Sequence, residues 1–584
     1  MRFAEEIRER NWLTRIGRCE RLKTVAARTL ETGCRGGGSR LIRRLVAVAV
    51  TVGMLSGPVW AQQAWSQQAG SQQTQAPSKQ QQTPPAQNQP VSPDAPGVTP
   101  PQLQEGQTTV IVDKPLTKAQ QKQLLADTDE IFEFVSHDTG LPIERSVKKV
   151  FITRDKVNSE LRKKFDEDKS NKRMERSELV LKKFGLLDES FNLRPFLLTL
   201  LTEQIAGFYD NKTRTMNLLD WVPIDQQKPV MAHELTHALQ DQKVGLKNWE
   251  DLEPDSVAKN VEDDAKHIQT DETDTAREAV LEGQAMVSFA DYMLKPTGKT
   301  LKDVPAVGEQ LQAGAGDMSD SPVLARAPLI LQQSLLFPYT EGLAFEQAVL
   351  LKAGTERAFT GVLDAPPNTS AEIMHPNDYM ARKPEPLLAL PDIHPTLDGA
   401  GYEPYDVGVM GELDVRMTAE LFGGKPLAEA LAPQWDGGVY YAAQRKSASD
   451  ADKQTTKSIA ILYLSRWKNA DAARSFFHVF EQQLPRQYDG LKRRNADETD
   501  PDERVYSAGA EGDVLLSVKG NDVWVSEGFE LPTAAKLREM VMDAQGTGPI
   551  RQAEMTVPEK ELVGSLGQWI GSFGVVKAGM RVLF

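Results

Sequence analysis

Two histidines and one glutamate stand at a spacing that can hold a metal ion next to a general base. His233 and His237 are four residues apart, and Glu234 follows the first, within a segment at 229–241 whose apolar residues predict a buried helix. Residues i and i+4 share one helix face, so both imidazoles can bind one cation while Glu234 lies near an open coordination position. Because the chain has only 7 His in 584 residues, this register should arise by chance in well under about one chain in a hundred. The pattern His-Glu-x-x-His therefore predicts a zinc site rather than an exposed polar stripe.

A catalytic zinc takes a third protein ligand and leaves one position for water. No further histidine follows at the short spacing of a three-histidine site, so a downstream carboxylate is the natural candidate. The segment 274–286 has a helical pattern and carries two, Glu278 and Glu282, one turn apart on the same face. Spacing alone leaves both open as ligands.

At this point the chain resembles the gluzincins, peptidases with His-Glu-x-x-His and a glutamate on a following helix. The text from His233 to Asp241 resembles the thermolysin group, and Leu281-Glu282-Gly-Gln-Ala is similar to the Glu-Gly-x-Ala of gluzincin aminopeptidases. The resemblance implies Zn²⁺ as the cofactor, Glu282 as the third ligand with Glu278 as the alternative, and Glu234 as the general base. It also implies, more loosely, that Asp241 orients a ligand or the helix.

The resemblance covers only the two metal segments and the strand before them. That strand, around Ile205–Tyr209, would form the edge of a sheet beside the cleft and pair with an extended peptide. Between His237 and Glu282 lie 44 residues, more than in those families. The excess, about 243–273, is acidic and polar, and we expect a solvated excursion near the cleft.

Gluzincins commonly use a His or Tyr outside the metal motif to stabilise the oxyanion. By that resemblance His375 is the first candidate for a second catalytic residue, followed by three tyrosines: Tyr209, Tyr339 and Tyr379. The remaining histidines have no pattern around them, and we interpret them as structural or surface residues: His137, His267, His394 and His478.

Charge divides the chain unevenly. Residues 1–61 hold 12 Lys+Arg against 5 acidic residues, so the rest carries 56 against 77, a net charge of -21. Such a surface argues against nucleic acid and anionic lipid as partners.

The N-terminus has the features of an export signal. Basic residues at 40–44 precede a short apolar run at 45–55 and a small-residue exit ending at Ala61, which predicts cleavage there. We therefore expect a periplasmic or extracellular protein, tethered to the membrane if the signal is not cleaved. Both cysteines, Cys19 and Cys34, lie in the removable part, so the mature protein would have no thiolate ligand or thiol nucleophile.

Composition and periodicity predict an α+β protein in several parts. Residues 1–61 are the extension and signal, and 62–107 form a Gln/Pro-rich disordered linker. A mostly helical zincin-like metallopeptidase domain with a small mixed sheet follows at 108–400. Residues 401–546 form an accessory α+β module with an antiparallel sheet, and 547–584 an apolar tail.

These features predict a secreted zinc peptidase acting on a peptide or protein substrate. Two alternatives stay open. One is a non-catalytic envelope protein that keeps the scaffold as a relic for binding a partner or the cell wall. The other is a zinc amidase that acts on cell-wall peptides, with the same chemistry and a different substrate. The oligomeric state does not follow from the sequence.

Overall fold

The computed structural model describes residues 115–157, 159, 168–203, 207–249, 257–315, 321–384 and 387–545. The predicted signal, both cysteines, the linker and the C-terminal tail lie outside these residues, so those expectations stay predictions. Within the described ranges, none of the helices has the length and apolar character needed to cross a bilayer.

The N-terminal part is built mainly from helices around a three-stranded sheet. Helix α1 begins after Thr117, whose hydroxyl accepts the N–H of Gln120 while the Gln120 side chain accepts the Thr117 N–H, a reciprocal cap. The elements up to the second metal segment are α1 Lys118–Thr139, β1 Lys148–Ile152, α2 Asp168–Lys183, α3 Leu193–Glu203, β2 Phe208–Asp210, β3 Thr215–Leu219, α4 Ile224–Val244, α5 Leu246–Trp249, α6 Val261–Thr270 and α7 Thr273–Leu294.

The sheet has the order β1-β3-β2, with β1 parallel and β2 antiparallel to the central β3. Strand β2 is therefore an edge, as expected for the strand before the histidine helix. A tight turn joins β2 to β3, in which the Asp210 carboxylate accepts the N–H of Lys212.

Three helices form the centre of this part. Helix α4 is buried on all sides from Val230 to Asp241, and α7 is buried along almost its whole length. Helix α9 Leu329–Ala353 crosses α7 at very close range, because Gly283 and Gly342 leave backbone against backbone at the crossing. The helices that follow are α10 Val362–Asp364, α11 Ser370–Met374, α12 Pro376–Met380 and α13 His394–Gly399; α8 Ala306–Ala315 precedes α9.

A seven-stranded antiparallel sheet occupies the C-terminal part, in the order β4-β5-β6-β10-β9-β8-β7. Its elements are β4 Tyr402–Gly408, α14 Glu412–Gly423, α15 Lys425–Leu431, β5 Trp435–Arg445, β6 Ile459–Trp467, α16 Ala470–Gln487, β7 Lys492–Arg493, β8 Glu503–Ser507, β9 Asp513–Lys519, β10 Asp522–Glu527 and α17 Leu531–Asp543. Asn469 caps α16 by accepting the N–H of Ala472, as its sequence indicates. Buried apolar residues of both parts form one connected core.

The expected α+β class, with a small mixed sheet and a larger antiparallel one, is confirmed. Three local expectations were wrong. Proline suits a first helical turn, so Pro229 predicts a helix start there, but the histidine helix begins at Ile224 and Pro229 lies inside it. The apolar patterns at 322–337 and 342–352 predict two buried helices, but the structure has the single helix α9 at Leu329–Ala353. This helix continues through Pro338 because its packing on α7 outweighs a cost of about 3 kcal/mol.

The third expectation that was wrong concerns the acidic segment after His237. Its described residues, 243–249 and 257–273, are exposed on one side only rather than forming a solvated excursion. Helix α6 packs on β4 and buries Asp264, His267 and Ile268. The charges are concentrated in its first turn, where they favour the positive end of the helix.

Candidate metal centre

The two histidines and the distant glutamate meet at one point. His233 Nε2 lies 2.9 Å from Glu282 Oε2 and 3.3 Å from His237 Nε2, and His237 Nε2 lies 3.5 Å from the same Glu282 oxygen. Among the described residues, these three side chains are a group whose ligand atoms lie close enough together to hold one metal ion. Helix α4 supplies both imidazoles from one face, and α7 supplies the carboxylate.

The triangle of ligand atoms is close in size to that of a tetrahedral metal site. Zinc binds nitrogen and carboxylate oxygen at about 2.0–2.2 Å in tetrahedral sites, so ideal ligand atoms lie roughly 3.3–3.6 Å apart. The observed sides of 2.9, 3.3 and 3.5 Å are near this range. Lone pairs brought together in a buried place repel one another unless a proton or a cation lies between them. The three side chains therefore fit a divalent ion with one coordination position left over.

Glu278, the alternative ligand, does not belong to this group. It lies one turn before Glu282 on α7 and is 8% exposed, whereas Glu282 is fully buried. The close crossing at Gly283 explains why Glu282 can reach the histidines, because α7 lies deep between α4 and α9 at that point. The geometry supports Glu282 over Glu278.

Glu234, next to His233 on the histidine helix, reaches the edge strand. Its carboxylate is fully buried and accepts the backbone N–H of Tyr209 on β2, with an N···O distance of 2.8 Å. Since Tyr209 pairs with Met216 across the sheet while its N–H points to Glu234, the outer edge of β2 faces the histidine helix.

Asp241 is hydrogen-bonded to strand β2 as well. Its Oδ2 accepts the hydroxyl of Tyr209 at 2.9 Å, and Oδ1 accepts the N–H of Leu246 at 3.2 Å. Burial and the nearby Asp241 carboxylate raise the pKa of Tyr209 well above its usual range. Asp241 thus attaches β2 to α4 and shapes the end of the helix. Among the described residues, Asp241 accepts hydrogen bonds from Tyr209 and Leu246 and not from a histidine.

The side chain of Gln240, which the sequence interpretation missed, is hydrogen-bonded to His237 and orients its ring. His237 Nδ1 lies 2.7 Å from Gln240 Oε1. The Gln240 amide nitrogen donates to Leu281 O at 3.1 Å and to Gln284 Oε1 at 2.9 Å. A glutamine three residues after a histidine is an ordinary helix residue in sequence, and only the packing of α7 reveals its role.

The four oxyanion candidates have different surroundings. The ring of Tyr339 stacks on His233 with an interplanar angle of 16° and a centroid separation of 6.3 Å. Tyr379 donates its hydroxyl to Ala365 O at 2.6 Å. His375 lies against Glu412, its Nε2 2.8 Å from Oε2, and this pairing raises the pKa of His375. Of the candidates outside β2, Tyr339 is the one whose ring contacts a metal-binding side chain; a catalytic role for His375 stays a prediction.

The other histidines have separate surroundings. His394 Nδ1 lies 3.2 Å from Asp392 Oδ1, and His267 is buried in α6. The side chain of His478 is more than half exposed. These positions agree with the structural or surface roles expected of them.

The centre is enclosed. His233, Glu234, His237 and Glu282 are 2%, 0%, 4% and 0% exposed. The three ligand side chains and the Glu234 carboxylate are therefore screened from solvent.

Comparisons with known proteins supply no relative: the chain matches no protein-family profile, no curated protein and no solved structure. Assignment of a function therefore rests on the residues of the centre itself.

Proposed function

We propose that this protein is a zinc-dependent peptidase in which Glu234 is the general base. His233, His237 and Glu282 would hold the ion. When bound there, zinc would lower the pKa of a water ligand and polarise the carbonyl of the scissile peptide bond. The observation that carries the proposal is the convergence of the three ligand atoms, at separations close to those of a tetrahedral zinc, on a helix in which Glu234 directly follows the first ligand.

Glu234 is suited to move a proton between water and the leaving amine. It neighbours His233 in sequence on the buried helix, and the Tyr209 N–H fixes its Oε2 in one orientation. As the general base, Glu234 would take a proton from the attacking water. Protonated Glu234 would then donate that proton to the nitrogen of the leaving peptide.

Strand β2 is the element suited to bind the substrate. An extended peptide can add to the edge of a sheet through main-chain hydrogen bonds. The Tyr209 N–H on the outer edge of β2 already donates to Glu234, so a peptide would pair with the neighbouring backbone groups of that edge. Substrate pairing there would bring a peptide carbonyl next to the three ligands. A peptide substrate needs no particular charge for this contact, because the hydrogen bonds come from backbone groups.

A second candidate function is supported by the burial of the centre. Side chains exposed by 4% or less suit a zinc that stabilises the fold of a binding protein. Such a protein would bind zinc and hydrolyse nothing. A zinc amidase for cell-wall peptides would use the same centre and differ only in substrate.

The test is the variant Glu234→Gln, compared with Glu278→Gln as a matched control on a neighbouring buried helix. Purified proteins are assayed for zinc content and for digestion of casein, a peptide library and peptidoglycan peptides, with and without a chelator. We expect wild type and Glu278→Gln to hydrolyse peptides in a chelator-sensitive way, and Glu234→Gln to keep zinc while losing at least about 10²–10⁴-fold in rate. Full activity of Glu234→Gln, or no hydrolysis by zinc-loaded wild type, contradicts the proposal.

A further inference from the structure

A chain of side-chain amides runs from the metal centre through α7 to the turn after α9. His237 Nδ1 contacts Gln240 Oε1, the Gln240 nitrogen contacts Gln284 Oε1, and the Gln284 nitrogen contacts the carbonyls of Ala358 and Phe359 at 2.9 and 3.1 Å. Both glutamines are fully buried. We call this sequence of contacts the amide relay.

Backbone carbonyls fix the direction of every hydrogen bond in the amide relay. A carbonyl oxygen can only accept, so the Gln284 nitrogen must face Ala358 and Phe359, and its Oε1 must face Gln240. In the same way Leu281 O requires the nitrogen of Gln240 on its side. Gln240 Oε1 therefore faces His237, where it can only accept.

The amide relay determines which ring nitrogen of His237 carries the proton. Because Nδ1 of His237 donates to Gln240, the proton of a neutral His237 is on Nδ1 and the lone pair is on Nε2. Nε2 is the atom that converges with His233 and Glu282. The relay thus selects the one tautomer that can bind a metal at this point, and it holds the plane of the ring.

The carbonyl end of the relay lies in an unusual turn. Residues Arg357–Gly361 form a π-helix, a conformation that occurs mostly as single turns and often at functional sites. Two successive carbonyls of that turn, those of Ala358 and Phe359, accept the same Gln284 nitrogen. The relay therefore joins the histidine helix, the glutamate helix and the segment after α9.

We propose that Gln240 is a positioning residue that prepares His237 for zinc, and that Gln284 fixes Gln240. The inference rests on the proposed zinc centre and adds what sets the protonation and orientation of one of its ligands. Groups that orient a metal-binding histidine typically account for about 10–100-fold in metal affinity. Loss of the Gln240 oxygen should weaken zinc binding by a factor in that range.

The experiment measures zinc affinity of the full chain by competition with a chromophoric chelator, together with the unfolding midpoint of each metal-free protein. Gln240→Leu removes the acceptor. Gln240→Glu keeps an acceptor for His237 but can no longer donate to Leu281 O and Gln284 Oε1. Gln227→Leu is the matched control, because this buried glutamine of the same helix bonds only to backbone groups of Leu219 and Val222.

All three variants should be less stable than wild type, since each leaves buried polar groups without partners. We expect only Gln240→Leu to lose about 10–100-fold in zinc affinity, with Gln240→Glu and Gln227→Leu within threefold of wild type. A merely structural role predicts instead that affinity follows stability in all three. Wild-type affinity in Gln240→Leu, or equal losses in Gln240→Leu and Gln240→Glu, overturns the inference alone. A wild-type protein that binds no zinc overturns it together with the proposed function.

Discussion

Gly283 lies against the backbone of Gly342, so close that a β-carbon on Gly283 would come within 2.2 Å of the Gly342 carbonyl oxygen. Gly283 directly follows Glu282. The glycine in the second metal segment therefore allows α9 to pack on α7 at the level of the metal centre, and it places Tyr339 of α9 over His233.

We expect Gly283→Ala to destabilise the protein by about 1–3 kcal/mol, because the clash is with backbone and cannot be relieved by a side-chain rotation. Zinc affinity should fall as well, since α7 carries Glu282. Denaturant unfolding and zinc competition measure the two effects. Gly314→Ala is the control: this exposed helical glycine has no atom within 4 Å of the added carbon, so alanine should be neutral or stabilise by up to about 1 kcal/mol. Equal stability of both variants would show that the crossing is not tight.

The hydroxyl of Tyr209 joins the edge strand to the histidine helix through Asp241. Tyr209→Phe should cost about 1.5–3 kcal/mol, because it removes a hydrogen bond to a buried carboxylate. In the peptidase assay the KM should rise with zinc content unchanged, since β2 would be held less firmly for substrate pairing. Unfolding and steady-state kinetics test this. An unchanged KM in a destabilised variant would show that the contact serves only the fold.

Asp291 gives the protein a dependence of stability on pH. Burial, with the nearby Asp138 carboxylate, raises the pKa of Asp291 to about 8, although its carboxylate accepts the Leu301 N–H at 2.5 Å. Between about pH 4 and pH 8 the unfolded chain releases a proton that the folded chain keeps, so the free energy of unfolding falls as pH rises. The stabilising contribution is complete below pH 4 and is lost by about pH 8.

Asp291→Asn should make this slope shallower, because the amide keeps the acceptor for Leu301 and does not ionise. The Asp138 carboxyl, whose pKa is raised to about 6, still contributes to the slope. We expect the variant to be more stable than wild type by roughly 1–3 kcal/mol at pH 9. Urea unfolding from pH 4 to pH 9 measures it. Asp398→Asn is the control, since Asp398 is exposed, the Lys446 ammonium lowers its pKa, and it lies in a different part of the chain from Asp291. Parallel curves for Asp291→Asn and wild type would assign the slope to other groups.

Under the proposed function, the oxyanion donor would be Tyr339 or His375. Tyr339→Phe keeps the stacked ring and removes the hydroxyl, and we expect kcat to fall by about 100-fold with KM and zinc content unchanged. His375→Gln should leave kcat within about threefold, because His375 is paired with Glu412. The opposite result would return the role to His375.

Local spacing predicted the two candidate histidine ligands, and the family resemblance selected Glu282 over Glu278. The i, i+4 relation of His233 and His237 holds in any helix, and Glu282 lies in a second apolar helical pattern. Gln240 could not be found in this way, because its role depends on carbonyls of α7 that approach only after folding.

The sequence did not predict strand β4 or the buried face of helix α6. Strand β4 contains Pro404, which lacks an N–H donor, and the strand tolerates it at the sheet edge beside a register shift between Pro404 and Asp406. The acidic composition of 243–273 predicted exposure, but α6 places Ile268 and His267 against the larger sheet. Composition describes the exposed side of such a helix better than its buried side.

The central claim is that His233, His237 and Glu282 hold one zinc ion, and the zinc content of purified protein tests it most directly. The measurement compares wild type with Glu282→Ala and Glu278→Ala after identical zinc loading and removal of weakly bound metal. We predict about one zinc per chain for wild type and Glu278→Ala, and little or none for Glu282→Ala. Zinc-free wild type, or full retention of zinc by Glu282→Ala, would contradict the claim.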